Sequence, residues 1–396
     1  MTSFPSPRPR KLGRVNAFEG SLVQNTIYIA GEAEWPIAPE DWEAAAEAKL
    51  DPGAFGYIAG GAGGEATMRA NLDAFERRTL RPRMLAGNVG RDVSVEVLGT
   101  RSAAPFWLGP VGVLSIAHSE KEVGAARGAA AMGVPFVLSS AASSSIEEVA
   151  EAMGDAPRWF QLYWINDREV AASFVRRAEA AGYGAIVVTL DTPVLAWRPR
   201  DLRRAFLPFI RGEGCAQFFT DPVFRAKLAA PPEEDMLTAA AMMLATFPNL
   251  GLTWDDLDWM REQTSLPLLV KGVLRGDDAL LAREHGVDGI IVSNHGGRQV
   301  DGAVAALDAL VDVREAVGGD FPLLVDGGIR RGADVIKALA LGADAVLLGR
   351  LYAYGLAVGG AAGVEAVCRQ LLAEVDLTLA LCGGSSVREL DGTLLA

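Results

Sequence analysis

From residue 105 onward, short apolar runs rich in β-branched residues alternate with longer alanine-rich segments. The runs fall at 106–109, 135–140, 159–163, 185–191, 267–272, 289–293, 322–326 and 345–349. Continuous apolarity over so few residues is the pattern of a strand buried on both faces. The segments between them, among them 120–132, 168–181, 277–285 and 333–341, carry apolar residues at helical spacing. Strand and helix in alternation imply parallel neighbours joined by right-handed crossovers, and eight such units predict a closed TIM-type (β/α)8 barrel. An open doubly wound sheet is the alternative. It is disfavoured because no Gly-x-Gly-x-x-Gly turn follows the first strand.

The interval 192–264, after the fourth strand, is too long for a crossover and predicts a lid or an oligomer contact. It contains Pro-Pro-Glu-Glu-Asp at 231–235, a candidate mobile turn. Its stretch 236–254 lacks charge, which superficially fits a membrane span. Pro248, Asn249 and Gly251 interrupt it, so a helix followed by a turn is expected. Upstream, Glu40, Asp41 and Glu43 open a helix over 39–50. Residues 53–64 hold six glycines, yet no strand precedes them and no Gly-Lys-Ser/Thr follows, which argues against a nucleotide loop. We divide the chain into an N-terminal arm, 1–38, and a barrel unit, 39–396. The first fourteen residues are rich in proline and arginine without an apolar core, which fits a disordered arm better than a signal peptide.

Composition then narrows the class. Half of the 396 residues are hydrophobic, enough for one large core. A net charge of -13 argues against nucleic acid or an anionic membrane as partner, although a local arginine cluster can still hold an anionic small molecule. The three cysteines show neither metal nor redox spacing, and the odd count points to a reducing cytoplasm.

Barrels of this kind do their chemistry at the carboxyl ends of the strands. Those ends read Gln161 and Tyr163, Thr189 and Asp191, Lys271, His295 and Arg298, Asp326, then Gly349 and Arg350. Any one of them can be structural, and Lys271 can equally be a lysine paired with Asp326. Six successive polar strand ends converging on one mouth are the layout of a site. The loops after strands seven and eight are where such barrels bind phosphate. Here they are Asp326-Gly-Gly328-Ile-Arg330-Arg-Gly332 and Gly349-Arg350, with two arginines to add bidentate charge. Spacing alone does not distinguish a sugar phosphate from another phosphate monoester. Of the three histidines, His118 lacks a clustered partner and His285 lies near a helix carboxyl end, which leaves His295 as the candidate base.

The stretch Ser293-Asn-His295-Gly-Gly-Arg298-Gln closely resembles the signature of the FMN-dependent 2-hydroxy-acid oxidases and dehydrogenases, and the resemblance runs from about residue 42 to 390. It implies FMN as cofactor. Pro110, Val111 and Gly112 would line the flavin ring, and Ser139, Gln161, Thr189 and Ser293 would bond its ring or ribityl chain. Lys271 would stabilise the reduced anion. His295 would be the base, oriented by Asp191, taking either the hydroxyl or the α-proton. Arg298 and Arg198 would clamp the substrate carboxylate, with Arg200 a rival to Arg198 by proximity. Tyr57 and Tyr163 would donate to the substrate. The segments Trp197-Arg-Pro-Arg-Asp, Pro208-Phe-Ile-Arg-Gly and Thr220-Asp-Pro-Val-Phe look like the lactate 2-monooxygenase branch, whereas Val300-Asp301-Gly302 and Asp326-Gly-Gly look like simple oxidases. The implied activity is oxidation of a small, lactate-like L-2-hydroxy acid by molecular oxygen with decarboxylation, in a cytoplasmic homo-oligomer (tetramer or octamer). A simple oxidase or a quinone-linked dehydrogenase is the alternative. Ala141 stands where plant-type glycolate oxidases carry tryptophan, which widens the expected pocket.

Overall fold

A computed structural model of the chain describes residues 19–87 and 90–396. A short antiparallel hairpin, β1 (Val95–Val97) and β2 (Thr100–Ser102), precedes the barrel. The barrel strands are β3 (Phe106–Leu108), β4 (Phe136–Ser139), β5 (Arg158–Tyr163), β6 (Ile186–Thr189), β7 (Leu268–Val273), β8 (Gly289–Val292), β9 (Leu323–Asp326) and β10 (Ala345–Leu348). All pair in parallel, and β10 returns to β3 to close the cylinder. All eight expected runs are therefore strands, each within a few residues of its expected ends. The closed (β/α)8 barrel holds.

The apolar runs form strands because both faces are covered. Every residue of β3, β4, β6, β8 and β10 is buried, and the helices between the strands seal the outside. Inside, Trp107 and Trp159 pack edge to face with ring centroids 4.3 Å apart. Register then aligns the polar strand ends. Ser139 sits beside Gln161, Tyr163 beside Thr189, and Thr189 beside Lys271. A bulge interrupts the β7–β8 pairing between Lys271 and Val273. At its centre Gly272 has φ +111°, and a side chain there would strike Asp191 Cβ at 2.6 Å. This close approach brings the carboxylate onto the end of β7.

The expected long insertion is present between β6 and β7. It contains the short helices Pro199–Arg203, Ala216–Phe219 and Pro222–Arg225, then Met236–Thr246 and Asp256–Glu262. Buried Asp221 ties it to the barrel by accepting from Ser173 Oγ at 2.6 Å and from the Val223 and Phe224 amides at 2.9 Å each. The uncharged stretch is a helix of 11 residues followed by a turn, as expected, and is too short to span a bilayer. One helix, Arg350–Leu381, does have the length and hydropathy of a span, but 72% of its apolar window is buried within the protein.

Part of the expected N-terminal arm is helical and packs on the barrel unit. Residues 1–18 lie outside the described residues, but Gly20–Ala30 is a helix docked on the C-terminal helix. The dock depends on Asp376, which is 2% exposed. It accepts from the Gly20 amide at 2.8 Å and from Arg91 Nε and Nη2 at 2.6 and 2.8 Å. The glycine is required, since a Cβ would meet the Ala373 carbonyl oxygen at 2.5 Å. The glycine-rich stretch at 53–64 also begins as a helix, Pro52–Ala59, capped by Asp51 through the Gly53 amide. Asp376→Ala leaves a half-buried guanidinium and an amide without their acceptor, and should cost about 1–3 kcal/mol. A lowered urea midpoint with unchanged cofactor content checks it.

Candidate active site

A cavity of about 250 Å³ opens at the carboxyl ends of the strands and extends from Tyr163 and His295 at one end to Arg330 and Gly349 at the other. Of the expected site residues, Tyr57, Pro110, Val111, Gly112, Tyr163, Arg198, Lys271, His295, Arg298, Asp326, Gly328, Arg330, Gly349 and Arg350 line it. Asp191 lies directly behind His295.

The strand end of β8 turns sharply into His295, whose φ is +59°, followed by Gly296 and Gly297 at +62° and +74°. The turn is capped by Asn294, whose side chain accepts from the Gly297 amide at 3.1 Å, and by Ser293 Oγ, which accepts from the His295 amide at 2.9 Å. His295 Nδ1 meets Asp191 Oδ1 at 2.7 Å, and Nε2 lies 3.5 Å from the Tyr163 hydroxyl. Because Nδ1 faces a carboxylate, it is the protonated nitrogen of the neutral ring, which leaves Nε2 as the basic site. Burial pushes the His295 pKa below its ordinary value, only partly countered by Asp191. The imidazole is therefore neutral, and competent as a base, at neutral pH. Burial raises the Tyr163 pKa to about 12, so its phenol remains a donor.

Lys271, 3% exposed, gives the floor a fixed positive charge. Its ammonium donates to Ser293 Oγ at 2.7 Å and lies 3.2 Å from Asp326 Oδ2 and 3.7 Å from Asp191 Oδ2. Burial disfavours the charge, but Asp191 and Asp326 outweigh it and raise the pKa. For Asp191 burial acts upward, while Lys271 and His295 pull further downward, to about 2. Lys271 is thus a lysine paired with Asp326 and Asp191 that also lines the cavity.

The arginines behave differently. Arg298 donates Nη1 to the carbonyls of Tyr57 and Gly60, at 2.6 and 2.8 Å, with its guanidinium carbon 5.2 Å from the Tyr57 ring centroid. Arg198, 6% exposed, donates to the Arg298 carbonyl at 3.0 Å and to Gln299 Oε1 at 3.1 Å. Burial and the Arg198 charge lower Arg298 to about 10, and burial and Arg298 lower Arg350 to about 9. Cations crowded together on neutral carbonyls make an anion site. The rival Arg200 is instead held by Glu65, with Nε 2.7 Å from Oε1.

Two groups of expected cofactor ligands need qualification. Arg350 spends three donors on the carbonyls of Ala59, Gly296 and Gly60, at 3.2, 3.0 and 2.8 Å. It therefore ties the helix Pro52–Ala59 to the His295 turn besides lining the cavity. Ser139, Gln161 and Thr189 satisfy one another in the floor: Ser139 Oγ donates to Gln161 Oε1 at 3.0 Å and Gln161 Nε2 to Thr189 Oγ1 at 2.7 Å. Together with Ser293, bound by Lys271, they underlie the cavity without lining it. Sequence reasoning missed Asn71, Asn294 and Gln299, and the lid residues Leu207, Phe209, Leu244 and Phe247 that wall the pocket. Asn294 and Gln299 lay inside the His–Arg stretch and Phe209 inside Pro208-Phe-Ile-Arg-Gly, but the others carried no signal.

Residues 46–396 match the family described as FMN-dependent dehydrogenase. The chain belongs to that family. It is 41% identical to an L-lactate oxidase of Lysinibacillus sphaericus, covering 95% of this chain and 96% of the relative. It is 44% identical to 2-hydroxyacid oxidase 1 of Mus musculus, covering 91% and 96%. A solved structure of an active mutant of (S)-mandelate dehydrogenase superposes with a TM-score of 0.82 at 36% identity, covering 91% of this chain and 99% of that one. The protein is an FMN-dependent 2-hydroxy-acid oxidoreductase.

The residues present fit FMN. Pro110, Val111, Leu348 and Ala353 would supply apolar walls for the ring, and Arg330 would supply a cation for the phosphate. A Cβ on Gly349 would meet only Val111 Cγ2, at 3.9 Å, so this glycine faces open cavity. Asp326 Oδ1 is buried without a partner, an acceptor suited to a ribityl hydroxyl.

The Asp191 shift has a measurable consequence. A carboxyl held at about 2 against an ordinary 3.8 stabilises the fold above the unfolded value and loses that contribution as pH falls from 4 to 2. The difference is worth about 2 kcal/mol. Asp191→Asn should therefore be less stable than wild type at pH 7 by about that amount, with the gap narrowing toward pH 2, as followed by denaturant midpoints.

Proposed function

We propose that the protein oxidises an L-2-hydroxy acid to the 2-keto acid, with His295 as base and molecular oxygen as the final acceptor. The observation that carries the reading is the Asp191–His295 pair at 2.7 Å, with Nε2 turned to a cavity walled by Arg298, Arg198, Tyr57 and Tyr163. Arg298 and Arg198 hold the substrate carboxylate. Tyr57 and Tyr163 orient the α-oxygen. Bound FMN supplies the two-electron acceptor. His295 Nε2 removes a proton from the substrate, and Asp191 stabilises the imidazolium that results. Lys271 holds positive charge in the floor, where it favours added electrons.

The side-chain end of the pocket is apolar and formed by Ala141, Leu207, Phe209, Leu244 and Phe247. It suits lactate and larger aliphatic acids. A second reading, oxidative decarboxylation as in lactate 2-monooxygenase, is favoured by the lid residues in that wall. They would delay release of the 2-keto acid while oxygen is reduced to hydrogen peroxide. Peroxide and 2-keto acid would then yield the acid one carbon shorter, carbon dioxide and water. Val194, Leu195 and Trp197 are exposed on the loop leaving β6, and Leu202 on the helix Pro199–Arg203, which supports our further reading of a homo-oligomer.

His295→Gln should keep its yellow FMN but be reduced by L-lactate at least about a hundredfold more slowly under anaerobic conditions. Stopped-flow spectra in the visible band of the flavin check it, and a near wild-type rate removes His295 from the mechanism. Product analysis without catalase separates the two fates. Stoichiometric hydrogen peroxide and pyruvate are expected for the oxidase, acetate and carbon dioxide with little peroxide for the second reading. Dye reduction without oxygen uptake overturns both.

A further inference from the structure

We propose that Asn71, on the helix Ala66–Glu76 outside the barrel, is a positioning residue for the oxidation, fixing the His295 turn through Asn294; the inference rests on His295 being the base. The two side-chain amides form a closed reciprocal pair, each Nδ2 donating to the other's Oδ1 at 2.8 Å. Both residues are buried, at 1% and 4% exposure. Asn294 has no spare capacity. Its Oδ1 also accepts from the Gly297 amide at 3.1 Å, and its Nδ2 also donates to the Val304 carbonyl at 3.0 Å. The Asn71 Oδ1 takes a second bond, from the Ala306 amide at 3.0 Å. Rotating either amide by half a turn would set donor against donor, so the pair admits one orientation.

That orientation matters because the next residue is His295, held at a φ of +59°. A β-carbon disfavours this backbone, which persists where its surroundings over-determine it. Asn294 supplies that constraint from inside the turn, and Asn71 holds Asn294 from outside the barrel. Thr67 and Asp301 reinforce the same join: Thr67 Oγ1 donates to the Val300 carbonyl at 2.9 Å, and Asp301 accepts from the Gly64 amide at 2.6 Å. The Asn71 backbone and Cβ serve a second loop, since a Cβ on Gly328 would meet the Asn71 carbonyl oxygen at 2.4 Å. Substitutions that keep a Cβ at 71 therefore preserve the Gly328 contact and remove only the amide.

The test compares Asn71→Asp, Asn71→Ser, Asn294→Ala and the Asn71→Ser/Asn294→Ala double variant, each loaded with FMN. The aspartate keeps the shape but cannot donate to Asn294. Anaerobic reduction by L-lactate should slow about ten- to hundredfold, because a small displacement of the base costs rate before it costs binding. The FMN dissociation constant and the KM should stay within about threefold of wild type. The double variant should be no slower than the slower single, the signature of residues acting as one unit. Reduction within about twofold of wild type in folded, yellow Asn71 variants overturns the proposal, as does a loss that tracks FMN loss or adds across the pair. His295→Gln run alongside separates the failures. Normal reduction in that variant removes the base and this inference with it, whereas an inactive His295→Gln beside normal Asn71 variants overturns this inference alone.

Discussion

The Lys271 ammonium, buried at the end of β7, is the charge around which the mouth of the barrel is arranged. A lone cation in such a place would lose several kcal/mol to desolvation, so it requires carboxylates, and both Asp191 and Asp326 are drawn to it. Asp191 reaches it only because Gly272 lacks a side chain at the bulge. Once held there with a depressed pKa, Asp191 is a permanent anion, and its other oxygen fixes the tautomer of His295. His295, Asp191 and Lys271 are therefore one electrostatic chain. Changing any member alters the protonation of the others.

Much of the fold was legible because a buried parallel barrel needs what sequence shows best, short apolar runs at regular intervals. What remained hidden depended on partners distant in the chain. The hairpin β1–β2 has three-residue strands, too short for a period of two to register. The helix Gly20–Ala30 is held by Asp376, 356 residues away, and nothing local marks it as docked. The long helix Arg350–Leu381 contains two glycines, Gly359 and Gly360, with non-helical backbone, which obscured its continuity.

The site divides along the same line. Strand register placed polar residues at one rim, so position in the chain gave their position in space. What it did not give was their hydrogen-bond partners. Arg350 stood next to a glycine at the end of the eighth strand, and the barrel rule assigned it to phosphate, yet most of its bonding is to carbonyls of the N-terminal helix and the His295 turn. Asn71 gave no signal at all, because a single asparagine on an amphipathic helix is ordinary until its partner is known.

The segment 50–76 is thus as much a part of the active site as any strand. It contributes Tyr57 to the cavity, receives Arg298 and Arg350 on the carbonyls around Gly60, and holds Asn294 through Asn71. Carbonyls at the end of the helix Pro52–Ala59 carry partial negative charge, which two guanidiniums complement without being neutralised. The arginines keep their full charge for anions while losing their freedom to move. A carboxylate pair would have fixed them as firmly but would have cancelled the attraction on which recognition of an acidic substrate depends. Positioning by neutral carbonyls separates the two requirements, and it explains why a protein with a net charge of -13 can present a cationic pocket to an anion.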